Sequence, residues 1–330
     1  MQATTSHPFD RLTPDFLLAA VESQGLLCNG RQLALNSYEN RVYQIGIEEA
    51  EPVIAKFYRP NRWSDAQIQE EHDFCLELVE HELPVVAPWR NARGETLFHH
   101  HGFRFALFPR RGGRAPELGD LDSLFTIGRL MGRIHLVGAV RAFTCRPTLD
   151  LESYGYRSVA LIEEGFIPPS LKASYEAASS ELLALVADQW GQAASGITYL
   201  RVHGDCHVGN MLWRDDLPHF VDFDDARMAP AIQDLWMLLS GDRREQAVQM
   251  SEVVAGYEEF NEFQARELKL IEPLRALRML HHTAWLASRW DDPAFPRAFS
   301  WFNTEKFWGE HIIELREQCA VLRAPPLSLA

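Results

Sequence analysis

Thr198-Tyr-Leu-Arg-Val-His203-Gly-Asp205-Cys-His207-Val-Gly-Asn210-Met-Leu-Trp213 is the stretch on which the reading of this chain turns. An apolar and β-branched run, Ile197 to Val202, leads into a polar knot, His203 to Asn210. A second apolar run, Met211 to Trp213, follows. Arg214 to Pro218 then reads as a turn, and His219-Phe-Val221 as a strand that ends on Asp222. Polar side chains between short strands predict a loop held rigid by sheet on both sides. Its spacing is His203-x-Asp205-x4-Asn210, with Asp222 further on.

Phosphoryl transfer needs a group to receive the proton of the attacking hydroxyl, and cations to neutralise charge on the phosphate oxygens. Asp205 suits the first task. Asn210 and Asp222 offer oxygen ligands for Mg²⁺, a hard ion. Upstream, Val53-Ile-Ala-Lys56 places a lysine in an apolar strand. It reads either as an outward-facing side chain or as a grip on nucleotide phosphates. A helix expected over about 65–82 carries Glu70 and Glu71, and a glutamate there would brace such a lysine. Two rivals remain at the residue level. His203, Cys206 and His207 could hold zinc, although their spacing is not a recurrent one. Cys206 flanked by histidines could be a nucleophile.

The chain has 330 residues, 46% hydrophobic and 24% charged, which reads as globular and long enough for two cores. A net charge of −14 disfavours nucleic acid. No apolar run reaches the roughly 18 residues of a membrane helix, and Met1 to Asp10 lacks the features of a signal segment. Five scattered cysteines without a CxxC pair suggest no disulfide framework and a reducing cytoplasm.

Before Pro109-Arg-Arg-Gly-Gly-Arg114 the pattern is mainly strands. A helix begins near Thr13-Pro14, and strand-like runs cover 28–35, 41–47, 53–58, 96–98 and 103–108, an antiparallel arrangement. The His99-His-His101 tip reads as a solvated turn. After that break the pattern is helical: 120–137, 169–190, 231–239 and two or three helices over 243–290. The intervening 145–168 and 223–230 read as loops, and the aromatic tail is expected to pack on the helical part. His135 reads as a packing residue. Asp234 is unusual, since a carboxylate in an apolar helix needs donors. The expected fold class is α+β, with a small antiparallel β-sheet lobe at 1–110, a larger mainly helical lobe at 111–330, and nucleotide bound between them.

His203-Gly-Asp-Cys-His-Val-Gly-Asn210, Phe220-Val-Asp-Phe-Asp224 and Gln233-Asp-Leu-Trp236 resemble the aminoglycoside phosphotransferase and choline kinase group, which shares the bilobal protein-kinase fold. Leu35 to Tyr43, Lys56-Phe-Tyr-Arg-Pro60, Glu70-Glu-His72 and Asp291 to Pro296 resemble its bacterial stress-response members, so the likeness covers nearly the whole chain. It implies a cytoplasmic serine/threonine protein kinase dependent on ATP and Mg²⁺, protecting cells under envelope and oxidative stress and restraining programmed death. It implies Asp205 as proton acceptor, Asn210 and Asp222 on Mg²⁺, and Ser37 in the turn over the nucleotide. It further implies a Lys56–Glu71 ion pair, Phe108-Pro109 near the adenine hinge, and Asp234 bonded to the backbone of the catalytic loop. The partner would be a protein serine or threonine, or alternatively a small hydroxyl compound, and the chain a monomer.

Two departures stand out. Asn36 to Arg41 contains no glycine, so backbone contact with phosphate there must be looser or use Ser37 and Asn40. Eleven residues separate Asp222 from Asp234, too few for a long activation segment. That shortness, with the acidic net charge, favours a small, cationic acceptor on physical grounds alone.

Overall fold

The computed structural model describes residues 7–194 and 196–330, so the first six residues of the stretch read as lacking a signal segment fall outside it. The elements in order are α1 (Pro14–Glu22), β1 (Cys28–Ala34), β2 (Arg41–Ile47), β3 (Val53–Phe57), α2 (Asp65–Glu80), β4 (Phe98–His100) and β5 (Phe103–Pro109). They continue with α3 (Leu121–Gly138), α4 (Arg157–Gly165), α5 (Lys172–Ala194), β6 (Leu200–Val202), β7 (Met211–Arg214), β8 (Leu217–Phe220) and β9 (Arg227–Ala229). Last come α6 (Ile232–Leu235), α7 (Arg243–Tyr257), α8 (Ile271–Ser288), α9 (Ala294–Ala298) and α10 (Glu305–Arg323). Two compact units result. One takes the chain up to Pro116 together with Phe143–Arg146 and His207–Ala226; the other takes Glu117–Ala142, Pro147–Cys206 and Arg227–Ala330.

The first unit is built on a five-stranded sheet of order β1-β2-β3-β5-β4, antiparallel throughout. Alternation along β3 sends Ala55 and Phe57 to one face and Lys56 to the other. The first face joins Ile45, Phe98, Phe105 and Leu107 in a core that α1 covers with Leu17 and Val21. On the other face Tyr58 and Ala106 pack with Ile68 of α2. Lys56 pairs with Val42 on one side and Ala106 on the other, so it stands in the middle of the sheet. Ser64 starts α2 through a capping box with Gln67, which satisfies two orphan donors of the first turn.

The same unit contains the β7–β8 hairpin. Asp215 and Asp216 both adopt positive φ, 52° and 58°, the twist a two-residue hairpin turn requires. The hairpin is anchored at Phe220, whose backbone N–H donates to the Pro84 carbonyl at 2.8 Å and whose carbonyl accepts from Val86 at 2.9 Å.

The second unit is helical. Burying Ile127, Met131 and Ile134 of α3 contributes roughly 1.5–3 kcal/mol per side chain. Three glycines let α3 and α7 approach backbone to backbone: a Cβ on Gly128 would strike the Val253 carbonyl, and one on Gly256 the Phe125 carbonyl. At Gly132 it would lie 2.5 Å from the Tyr257 carbonyl oxygen. Arg201, buried on β6, donates to the Val137 carbonyl at 2.8 Å and so satisfies the C-terminal end of α3. Tyr175 of α5 meets Trp308 of α10 edge to face, which seats the aromatic tail in this unit as expected. Among the described residues no helix is long and apolar enough to cross a membrane.

Three sequence expectations need correction. Residues 145–168 are not all loop: Glu152–Tyr156 forms a π-helical turn that runs into α4. The Tyr- and Gly-rich composition hides the buried spacing Val159, Ile162. Residues 223–230 contain β9, which pairs with β6. The helix expected over 231–239 stops after α6 and tightens into a 3-10 turn, Trp236–Leu238.

Because α3 and α7 touch through backbone, Gly132→Val should lower unfolding free energy by about 2–4 kcal/mol through overpacking. Urea denaturation checks this, and an unchanged midpoint would contradict the close packing.

Candidate active site

The β7–β8 register explains why Asn210 and Asp222 go together. Met211 faces Phe220, and one step toward the open end the Val221 N–H donates to the Asn210 carbonyl at 3.0 Å. Both polar residues therefore leave the same end of one hairpin. Asn210 closes a short 3-10 turn, Val208–Asn210, whose start is capped by His207 Nδ1 accepting from Gly209 N at 2.9 Å. Asp222 adopts left-handed φ 60°, ψ 62°, a conformation uncommon outside glycine and concentrated at functional sites. Its side chain is 51% exposed, and its Oδ1 accepts from Lys56 Nζ at 2.8 Å.

Lys56 is the hub. Its ammonium is buried, 2.8 Å from Asp222, 3.1 Å from Asp224 Oδ1 and 3.8 Å from Glu71 Oε1. Burial alone would pull its pKa down, but Asp222, Asp224 and Glu71 raise it well above the ordinary lysine value. The same charges act on buried Asp224: desolvation pushes it up, yet Arg62 and Lys56 hold it below the usual carboxylate range. Asp224 Oδ1 has no aligned hydrogen-bond donor despite the nearby ammonium, whereas Oδ2 accepts from Asn40 Nδ2 at 3.1 Å and from Arg62. Arg62 also reaches Asp225 at 2.9 Å.

The structure separates the two glutamates of α2. Adjacent helix positions point about 100° apart. Glu71 turns inward, where its closer partner is Arg146 Nη2 at 2.9 Å. The Lys56–Glu71 approach is thus the looser of its two ion pairs. Glu70 instead gathers the backbone N–H groups of Thr144, Cys145 and Arg146 at 2.7–2.9 Å. Buried Arg146 further donates to the carbonyls of Gln67, Asp224 and Ala226. Arg146, Arg62 and Asp224 were not singled out from sequence; the doubled acid of Asp222-Phe-Asp-Asp225 was the available signal for Asp224.

The glycine-free turn over 36–41 is held by side chains. No residue in it has positive φ. Asn40 Oδ1 accepts from Arg59 N at 3.0 Å, and the Arg59 guanidinium donates to the carbonyls of Glu39 and Tyr38 at 2.8 and 2.9 Å. Ser37 lies in this turn, half-buried.

The second unit holds Asp205. Its Oδ1 accepts from Arg278 Nη1 of α8 at 2.6 Å, and its backbone N–H donates to His203 Nδ1 at 3.3 Å. Asp234, fully buried, accepts from the backbone N–H of His203 at 2.7 Å and of Gly204 at 2.8 Å. Gln233 Nε2 donates to the Gly204 carbonyl at 2.8 Å. His135 is more than packing. Tyr257 OH accepts from Asn261 and faces His135 Nδ1 at 3.1 Å, which leaves His135 Nε2–H to donate to Asp234 at 3.0 Å. Buried Glu267 accepts from Ile232 N at 2.8 Å and braces the start of α6, the helix that carries Asp234.

The donor set suits Mg²⁺ and not zinc. Asn210 and Asp222 supply oxygen, and Asp224 adds a buried oxygen without an aligned donor. Cys206 is buried against Met131 Sδ at 3.8 Å, and burial, Asp234 and Asp205 push its thiol well above the ordinary value, against a thiolate ligand or nucleophile.

The phosphotransferase enzyme family (APH) model matches residues 31–269. Stress response kinase A of Escherichia coli O157:H7 is 48% identical over 97% of both chains. Serine/threonine protein kinase RdoA of Salmonella typhimurium is 46% identical over the same share. Among solved structures, an amicoumacin kinase in complex with AMP-PNP, Ca²⁺ and Ami superposes with TM-score 0.71 at 18% identity, covering 95% of each chain. A microcompartment-associated aminopropanol kinase gives TM-score 0.68 at 18% identity, covering 93% of this chain and 96% of its own. These two likenesses establish a kinase-like fold.

Two predictions concern how the site is held. Arg146→Ala leaves Glu71 without its closer partner, and should cost about 3–5 kcal/mol of stability, read by denaturation; a loss below 1 kcal/mol would contradict the pairing. Burial raises Glu267 to about 7 against the opposing Ile232 N–H. A raised carboxyl pKa means that the folded state binds the extra proton. Stability from this group is therefore full below about pH 4.5 and lost as pH rises to about 7. Glu267→Gln should flatten that slope and raise stability at pH 8 by about 2–4 kcal/mol; an unchanged slope would contradict it.

Proposed function

We propose, from the premise that this chain belongs to the phosphotransferase enzyme family, that it transfers the γ-phosphoryl group of ATP to serine or threonine hydroxyls of proteins. The carrying observation is the hairpin end where Asn210 and Asp222 emerge together with Lys56 2.8 Å from the Asp222 carboxylate. The protein acceptor is supported by identity over nearly the full length to relatives named as a stress response kinase and a serine/threonine protein kinase. By the same likeness we assign it a role in stress response. Five free cysteines suit action in the cytoplasm.

In this reading Asp205 orients the acceptor hydroxyl and takes its proton as oxygen attacks the γ-phosphorus. The bond to the β–γ bridging oxygen breaks and ADP leaves. Asp234 fixes the backbone beneath Asp205 through two N–H bonds, so the carboxylate is placed before the acceptor arrives. Lys56 binds phosphate oxygens and holds the Asp222 carboxylate at 2.8 Å. Ser37 and Asn40 sit in the turn that covers the phosphates. Asn210 and Asp222 would hold Mg²⁺, which supplies neutralisation of the phosphate charge.

A second reading, phosphorylation of a small hydroxyl compound, draws on one observation. The segment after Asp222 folds at once into a 3-10 turn, β9 and α6, and so is too short to form an extended peptide platform itself.

Transfer of labelled γ-phosphate to generic protein substrates and to a panel of small alcohols decides between them; label confined to small alcohols would contradict the protein acceptor. Asp205→Asn should keep nucleotide affinity and lower turnover about 10²–10⁴-fold, and unchanged turnover would remove Asp205 from the proton transfer. Asp222→Asn should weaken Mg²⁺-dependent nucleotide binding about tenfold or more, measured by calorimetry.

A further inference from the structure

The group that meets the Asp205 carboxylate carries the opposite sign from the chain as a whole. Arg275 and Arg278 stand three apart on α8, so their side chains share one helix face. Arg278 Nη1 donates to Asp205 Oδ1 at 2.6 Å while the guanidinium stays 40% exposed. Arg275 is held by Glu272 at 3.2 Å and lies 5.1 Å from the Trp236 ring centroid. Its Nη2 is buried and meets no acceptor among the described residues, and the same holds for Trp236 Nε1. Both donors lie buried where α8 meets the turn after Asp234 and do not face an incoming acceptor.

The other charged groups near Asp205 do not restore a negative field. At His282, one turn beyond Arg278, burial and Arg278 lower the pKa against the pull of Asp205 and so disfavour the charged form. Asp234 is engaged by the N–H groups of His203 and Gly204 and by His135. An acceptor carrying an ammonium group gains from a carboxylate whose charge faces it unmatched. Here Arg278 matches that charge, and Arg275, one turn away, is itself matched by Glu272. Guanidinium groups recognise carboxylate and phosphate through paired N–H donors.

We propose that Arg278 positions Asp205 and, through the exposed part of its guanidinium, makes the acceptor side select a hydroxyl flanked by anionic groups, that is, a serine or threonine in an acidic segment. This rests on the protein-acceptor reading above. It reverses, for the immediate surroundings of Asp205, the cationic preference that a net charge of −14 suggests.

The test uses the full chain, labelled ATP and three acceptors: a peptide with one serine flanked by glutamates, the same peptide with lysines, and choline. The expected kcat/KM favours the glutamate peptide by about tenfold or more. Arg278→Glu should reverse that preference mainly through acceptor KM, and Arg278→Lys should preserve it. The KM for ATP, unchanged in both variants, reports an intact fold. A purely structural arginine would instead lower both peptides alike. Equal use of the two peptides by the parent chain, or equal losses in Arg278→Glu, overturns the charge selection and leaves the protein-acceptor reading standing. Labelled choline with both peptides unlabelled overturns both.

Discussion

One buried ammonium sets the geometry of the polar cluster in the first unit. Lys56 stands mid-sheet, out of water, and a lone cation there would shed its proton. It stays charged because Asp222, Asp224 and Glu71 converge on it from two other segments of chain. Two of the three carboxylates are in turn held elsewhere: Glu71 by Arg146, Asp224 by Arg62 and Asn40. Desolvating such groups costs several kcal/mol per ion, and the attraction among them offsets that cost only while every partner is present. The cluster therefore specifies a conformation more than it adds stability. Lys56, Arg59, Arg62 and Arg146 face Glu39, Glu71, Asp222, Asp224 and Asp225, four cations against five carboxylates. The unmatched negative charge fits the place where Asp222 opens to solvent and a divalent cation is expected.

The second unit solves a different problem, that of a loop whose backbone donors need partners. Asp234 answers it by accepting from His203 and Gly204, and is itself oriented by His135, Tyr257 and Asn261. That chain of bonds runs from α7 to the loop through the glycine-packed contact of α3 with α7. A close helix packing and the placement of the Asp205 loop thus belong to one construction. Asp205 is set by its backbone from below and by Arg278 at its carboxylate.

Much of this was legible in the residues. The spacing of Asp205, Asn210 and Asp222, the strand lysine and the shift from strands to helices all follow from local pattern, which periodicity records well. Asp234 could be flagged because a carboxylate in an apolar run demands donors. Arg146 left no such mark. Its neighbours Cys145 and Pro147 look like loop, and its partner Glu71 is 75 residues away. Arg278 reads as one more polar position on an amphipathic helix. The choice between Glu70 and Glu71 needed the helix phase relative to the sheet, which no local pattern encodes. The short strand β9 was hidden because its three residues gain strand character only from pairing with β6.

The claim that Lys56 and its carboxylates form one interdependent cluster is tested most directly by a double-mutant cycle. Unfolding free energies in urea would be measured for the parent chain, Lys56→Met, Asp224→Asn and the double variant. The account predicts that the double variant loses less than the two single losses added together, with a coupling of about 1.5–3 kcal/mol. Losses that add to within about 0.5 kcal/mol would contradict it.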